Sequence, residues 1–278
     1  MDPEKYFIVI VCAFGNGQSS SPSNHPSQGG SSFPAITLYD NVVQQHRLVT
    51  HFGIRKVALV VGWSMGAQQT FQWAALYPDM VERICPFAGS SKTSPHNFVF
   101  LEGVKSGVVT DVAWNAGAYG GANPSKGLRA VGRVYAGWGL TQQFYRQELW
   151  RSLGFDSLEQ CLVGFWEGFF LKRDANNLLV MLATWQGADI SANPKFEGDL
   201  SAALKAIKAK TLVLAPHNDL YFPKEDNFLE VATMQVTNSD VECVVIPGVW
   251  GHFAGGGINK DDTEFIDAHL KRLLAKHV

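Results

Sequence analysis

The stretch Val57-Ala58-Leu59-Val60-Val61-Gly62-Trp63-Ser64-Met65-Gly66-Ala67-Gln68-Gln69-Thr70-Phe71 decides how this chain folds. Residues 57–61 are apolar and mostly β-branched, the composition of a buried strand. Residues 67–77 read as a helix and stop before Pro78, which cannot continue one. Between them the spacing Gly-x-Ser-x-Gly sets Ser64 on a sharp strand-to-helix turn. Its hydroxyl is then held out at the carboxyl edge of a parallel sheet. The flanking glycines, Gly62 and Gly66, would let that backbone pass without a side-chain clash. The pattern alone is short and fits an ordinary Gly-rich turn as well. The strand before it and the helix after it make Ser64 a candidate nucleophile.

Working outward, residues 6–12 read as a strand and residues 13–34, rich in Gly, Ser, Asn and Pro, as a long surface loop. The glycines of that loop do not have the Gly-x-Gly-x-x-Gly spacing, which excludes a dinucleotide fingerprint. Thr37 is placed to cap a helix running through Val49 and ended by Gly53. Val81–Phe87 reads as a further strand. Strand, helix, strand, helix, strand predicts an α/β class with a mostly parallel sheet and right-handed crossovers. The strand pattern returns at Thr211–Ala215 and Val241–Ile246, and an amphipathic helix is predicted over 261–277. Helical periods dominate between residues 90 and 198, where Trp114, Trp138, Trp150, Trp166 and Trp185 fall. The simplest division is a core of residues 1–89 and 199–278 carrying an inserted helical lid over 90–198. The alternative is that these helices are ordinary outer-layer helices.

Composition narrows the class. With 278 residues, 46% hydrophobic and 17% charged, the chain has the bulk of one large, well-buried globular unit. A net charge of −2 gives no reason to expect a nucleic-acid partner. Cys12, Cys85, Cys161 and Cys243 make no metal-ligand spacing, and no metal is expected. Cys12 and Cys243 sit in apolar strand-like runs and read as buried free thiols. Reduced thiols without a signal peptide predict a cytoplasmic protein. The apolar run at residues 6–11 is too short to span a bilayer, so no membrane attachment is expected.

A serine hydroxyl is a weak nucleophile at neutral pH and needs a base in reach, itself oriented by an acid. On a sheet of this kind the acid follows a late strand and the histidine follows the last strand. Asp219, in Pro216-His217-Asn218-Asp219, stands where the acid belongs. Asp226 is its competitor, in a predicted helix start, and a capping or turn role would also suit Asp219. His252, in Pro247-Gly248-Val249-Trp250-Gly251-His252, stands where the base belongs. His217 is the local rival and precedes the acid.

With these residues in place the chain resembles the homoserine O-acetyltransferase group of the α/β-hydrolase fold, over nearly its whole length. Gly62-Trp63-Ser64-Met65-Gly66-Ala67 is similar to that group's Gly-Gly-Ser-Met-Gly-Gly elbow. Asp219-Leu220-Tyr221-Phe222-Pro223 and Gly251-His252 are similar to its acid and base segments. Trp114-Asn115-Ala116-Gly117-Ala118-Tyr119 and Asp174-Ala175-Asn176 match two lid segments. The resemblance implies acyl transfer through an acyl-serine: Ser64 takes an acyl group from an ester or from acyl-CoA as cosubstrate and passes it to a hydroxyl acceptor. His252 moves the proton, Asp219 holds the imidazole, and no bound cofactor is required. It implies that Arg133 holds the acceptor, although a lid salt bridge is an equal reading of that arginine. A homodimer through the lid is the assembly that fits.

Two departures matter. Trp63 and Ala67 replace glycines beside the nucleophile, close to the expected acyl pocket, so Trp63 is a candidate substrate-binding residue and the acceptor need not be homoserine. An ester hydrolase would need only to admit water to the same acyl-enzyme. The second departure concerns the oxyanion, which needs two donors. The backbone N–H of Met65 supplies one. The family supplies the other from a loop upstream of residue 6, so relative to the family this chain reads as N-terminally short, or else the loop at 13–34 is recruited. Three readings stay open: acyltransferase, carboxylic-ester hydrolase, and a binding protein that has lost full catalysis.

Overall fold

In the computed structural model, which describes residues 1–277, four parallel strands lie side by side in chain order. They are β1 Val60–Trp63, β2 Arg83–Phe87, β3 Lys210–Pro216 and β4 Val241–Ile246. The register pairs Val61 with Cys85, Phe87 with Leu214, and Val213 with Cys243. Helix α1, Leu38–His51, is started by Thr37 through a full capping box with Asp40. Helix α2, Met65–Leu76, follows the elbow.

Between β2 and β3 the chain is mostly helical, with one isolated antiparallel bridge between Lys92 and Asp189. The helices are α3 Pro95–Val109, α4 Ser125–Gly139, α5 Gln142–Arg146, α6 Leu158–Cys161, α7 Gly168–Leu171, α8 Ala175–Gln186 and α9 Leu200–Lys205. A π-helical stretch, Leu162–Glu167, joins α6 to α7. Helix α10, Lys224–Met234, precedes β4, and α11, Lys260–Ala275, follows it.

Strands β2 to β4 alternate between two cores, the period of a sheet covered on both faces. Leu212, Leu214, Cys85 and Ile246 enter the core shared with α3, α4 and α11. Val213, Ile84 and Val241 enter the core shared with α1, α2, α9 and α10. β1 is only half-buried because it pairs with β2 alone.

Two expectations are corrected here. Residues 6–12 make no strand. Residues 6–11 line a groove of about 970 Å³ together with Val49, Phe52 and Val57–Val61, without joining the hydrogen-bond ladder of β1. Phe7 and Ile10 are consequently exposed. Cys12 is exposed too, its Sγ donating to Gln18 Oε1 at 3.2 Å, and Cys243 is only part-buried. Both readings failed for one reason: an apolar run is buried only where a partner covers it, and composition does not supply the partner. The strand read at 57–61 is also shifted toward the elbow, with Val57 making one isolated bridge to Val81.

One buried carboxyl gives the fold a pH dependence. Glu230 on α10 has no ion-pair partner among the described residues, and burial pushes it up from 4.5 to about 7. The folded state therefore holds this proton more tightly than the unfolded chain does. Its contribution is fully present below the ordinary value and is lost as pH rises through about 7, an effect of roughly 3 kcal/mol. Asp226 and Asp262 are raised by burial in the same direction. Denaturant unfolding should show lower stability at about pH 8 than at about pH 5, and Glu230→Gln should narrow that difference.

Candidate active site

The elbow is built as the spacing requires. Ser64 sits at φ 61°, ψ −125°, a conformation that costs a non-glycine residue about 1–3 kcal/mol and persists only when its surroundings over-determine it. They do so here. Ser64 N–H donates to Phe87 O at 3.1 Å, and Ser64 O accepts from Ala67 N–H at 2.8 Å. A Cβ at Gly62 would drive into the Gly66 carbonyl, so position 62 admits only glycine. Gly66 is different: a Cβ there would meet open space. Only one of the two flanking glycines is sterically required. Met65 opens α2, so its N–H has no intrahelical acceptor and is free for a ligand oxygen.

Asp219 lies just beyond β3. Its Oδ1 accepts the N–H groups of Tyr221 at 2.8 Å and Phe222 at 3.2 Å, which turns the chain and aims Oδ2 inward. His252 lies on the short 3₁₀ turn Gly251–Gly255 after β4. The fold brings the two together with Ser64. His252 Nδ1 is 2.7 Å from Asp219 Oδ2, and His252 Nε2 is 2.9 Å from Ser64 Oγ. The Asp219 side chain has no exposed surface and that of His252 only 6%. Asp226 falls in the first turn of α10, and His217 N–H bonds to Ile246 O; neither enters this chain of hydrogen bonds.

Trp63 lies against the histidine. Its indole stacks on the His252 ring at 5.1 Å and 28°, and its Nε1 donates to His252 O at 3.1 Å. Tyr221 packs edge-on to the same imidazole at 4.7 Å, with Phe222 at 5.8 Å. These two aromatic contacts were missed in the sequence, where Tyr221 and Phe222 served only to frame Asp219. Trp63→Gly should free the imidazole and lower the turnover number about 10- to 100-fold, a cost typical of a slightly misplaced catalytic group. Steady-state kinetics on p-nitrophenyl acetate, beside a melting curve to separate stability from turnover, would measure this.

Arg133, on α4, is committed elsewhere. Its Nε meets Glu167 Oε1 at 2.7 Å and its Nη2 meets Glu159 Oε1 at 2.6 Å. Arg129 Nη1 reaches the other Glu167 oxygen at 2.6 Å. The two guanidiniums, Arg129 first, hold the Glu167 carboxyl below the usual range. The salt-bridge reading of Arg133 is thus the one realised in the fold. The loop at 13–34 is anchored away from the elbow: Phe14 N–H donates to Asn41 on α1, and Ser23 exchanges two bonds with Asn177 on α8. Among the described residues, no hydrogen bond joins that loop to Ser64 or Met65. Nor does any group of three or more His, Cys, Asp or Glu stand placed to hold a metal ion. No helix is long and apolar enough to cross a membrane.

The alpha/beta hydrolase fold family matches residues 2–254. The chain belongs to that family. This alpha/beta hydrolase is 38% identical to a probable esterase of Corynebacterium glutamicum, over 98% of this chain and 78% of that protein. It is 38% identical to the ethyl acetate hydrolase of Pseudomonas veronii, over 99% and 78%. It is 31% identical to the homoserine O-acetyltransferase of Rhodospirillum rubrum, over 96% and 72%. The crystal structure of an acetylester hydrolase from Corynebacterium glutamicum superposes with a TM-score of 0.94 at 38% identity, covering 99% of this chain and 78% of that one. The alpha/beta hydrolase fold is therefore established, with esterases and homoserine O-acetyltransferases among its relatives.

Proposed function

We propose that this alpha/beta hydrolase cleaves small carboxylic esters through an acyl group carried on Ser64. The observation that carries the reading is the unbroken chain Ser64 Oγ, His252 Nε2, His252 Nδ1, Asp219 Oδ2, at 2.9 and 2.7 Å. His252 takes the Ser64 proton as Oγ attacks the ester carbonyl. The carbonyl oxygen becomes an oxyanion against the Met65 N–H. The alcohol then leaves with the proton from His252, and the acyl group stays on Ser64. Water attacks that ester, His252 removes the water's proton and returns it to Ser64, and the acid departs. Asp219 keeps Nδ1 protonated and stabilises the imidazolium formed in each half.

Two observations favour water over another acceptor. The relatives at 38% identity are named as a probable esterase and an ethyl acetate hydrolase, whereas the homoserine O-acetyltransferase of Rhodospirillum rubrum stands at 31%. Arg133, which would hold an amino-acid acceptor, has its charge met by Glu159 and Glu167. Acyl transfer from acyl-CoA to a hydroxyl acceptor is the second reading, and it rests on the acetyltransferase relatives and the common serine machinery. The purified protein, given p-nitrophenyl acetate or ethyl acetate in parallel with acetyl-CoA and homoserine, decides between them. Ester hydrolysis without release of CoA thiol supports the proposal. Acceptor-dependent thiol release that outruns hydrolysis overturns it. Failure of a fluorophosphonate probe to label Ser64 would leave only a binding protein.

A further inference from the structure

The ester-hydrolase reading uses Ser64, His252 and Asp219 and gives no role to the buried carboxyl of Glu230. We infer that Glu230 is a positioning residue that, through Ser91 and Asn227, clamps residues 88–91 against the underside of the Ser64 elbow; this inference rests on the ester-hydrolase reading.

The clamp can be followed bond by bond. Glu230 Oε1 accepts Ser91 N–H at 2.5 Å and Ser91 Oγ–H at 2.7 Å. Its Oε2 accepts from Asn227 Nδ2 at 2.8 Å, and the same amide nitrogen donates to Gly89 O at 2.8 Å. Ser91, Asn227 and Glu230 are all buried. The loop they hold is pressed on the elbow. A Cβ on Gly89 would stand 2.6 Å from Ser64 O and 2.5 Å from Ala67 Cβ, so backbone lies directly on backbone. The loop follows Phe87, whose carbonyl receives the Ser64 N–H. It begins at Ala88 with φ 47°, a strained angle for alanine that needs holding from outside. Gln68 on α2 adds a second tie, donating to Thr93 Oγ1 at 3.2 Å.

Space-filling alone does not account for a carboxylate here. Burying one without a cation is costly, and an apolar side chain would fill the volume without that burden. What the carboxylate supplies, once ionised above about pH 7, is two accepting oxygens aimed in different directions. One binds Ser91, and the other dictates which way the Asn227 amide faces, and so whether Gly89 O has a donor. The charged and titratable groups nearest the clamp are Asp226 one turn earlier on α10, Cys243 on β4, and the Lys92–Asp189 ion pair just beyond Ser91.

Glu230→Gln tests this with little change of shape. The amide oxygen can keep Ser91, but the amide nitrogen then faces the Asn227 NH₂, donor against donor. Either Asn227 turns and Gly89 O loses its donor, or the new amide turns and Ser91 N–H loses its acceptor; both break the clamp. Active sites are counted by fluorophosphonate labelling, and the turnover number per labelled site is measured on p-nitrophenyl acetate. The expected result is a fall of about 10- to 100-fold in turnover per site, KM within about twofold, and slower labelling of Ser64. Asn227→Ala, which removes the Gly89 link and leaves both Ser91 bonds, should do the same, and it decides the matter if Glu230→Gln yields no folded protein. Turnover per site within about twofold of wild type, whatever the melting temperature, overturns the inference and leaves Glu230 a stability residue. A wild-type protein that neither labels nor turns over ester overturns the ester-hydrolase reading and this inference with it.

Discussion

Ser64→Ala is expected to remove ester hydrolysis almost entirely, by a factor of about 10⁶ in turnover number, the loss seen when the nucleophile of a serine protease is deleted. The expectation follows from the route proposed. Without Oγ there is no acyl-enzyme, and His252 Nε2, 2.9 Å from that oxygen, has no proton to accept. The fold should survive. Alanine has the same Cβ as serine, so the φ 61° turn is no more strained than before, and the N–H bond to Phe87 O comes from the backbone. Kinetics on p-nitrophenyl acetate together with an unchanged melting curve would make the result specific to chemistry. Substantial residual activity in a folded Ser64→Ala protein would mean that the nucleophile is another group.

Asp219→Asn has the second largest expected effect, about 10⁴ in turnover, by a different physical route. The carboxylate holds His252 with its proton on Nδ1, leaving Nε2 bare to receive the Ser64 proton. An asparagine that presents its NH₂ to Nδ1 stabilises the opposite tautomer, with the proton on Nε2, where it blocks the transfer. The Asn carbonyl can still accept the N–H groups of Tyr221 and Phe222, so the turn that carries it should remain. The expected signature is slow labelling of an intact Ser64 in a folded protein. A variant that turned over at the wild-type rate would assign the orienting role to another acid. His252→Ala should be nearly as inactive as Ser64→Ala, since both substitutions break the same proton path.

Much of this was legible in the sequence because it was local. The elbow needs only a buried strand, a glycine where the Gly66 carbonyl approaches, a serine and a helix start, all within fifteen residues. Thr37 announced the start of α1, and the structure completes that cap through Asp40. Asp219 and His252 were found by order, since each follows a late strand. Strand β3 was readable because a strand covered on both faces is a continuous apolar run, and residues 212–215 are such a run. The run at residues 6–11 has that composition and no covering partner, and there the reading failed.

What the sequence determined by itself is the class of fold, the turn at Ser64, and the order in which an acid and a base follow it, because these depend on contacts between residues near in the chain. Only the tertiary structure decided the rest. It placed Trp63 on the imidazole of His252, 189 positions away, and gave Arg133 to Glu159 and Glu167. It also set Glu230 under a loop 139 positions upstream. Each of these side chains had several plausible partners in the sequence. Which partner it takes is settled by how the sheet and helices pack, under the pressure for most buried polar groups to find a hydrogen-bond partner.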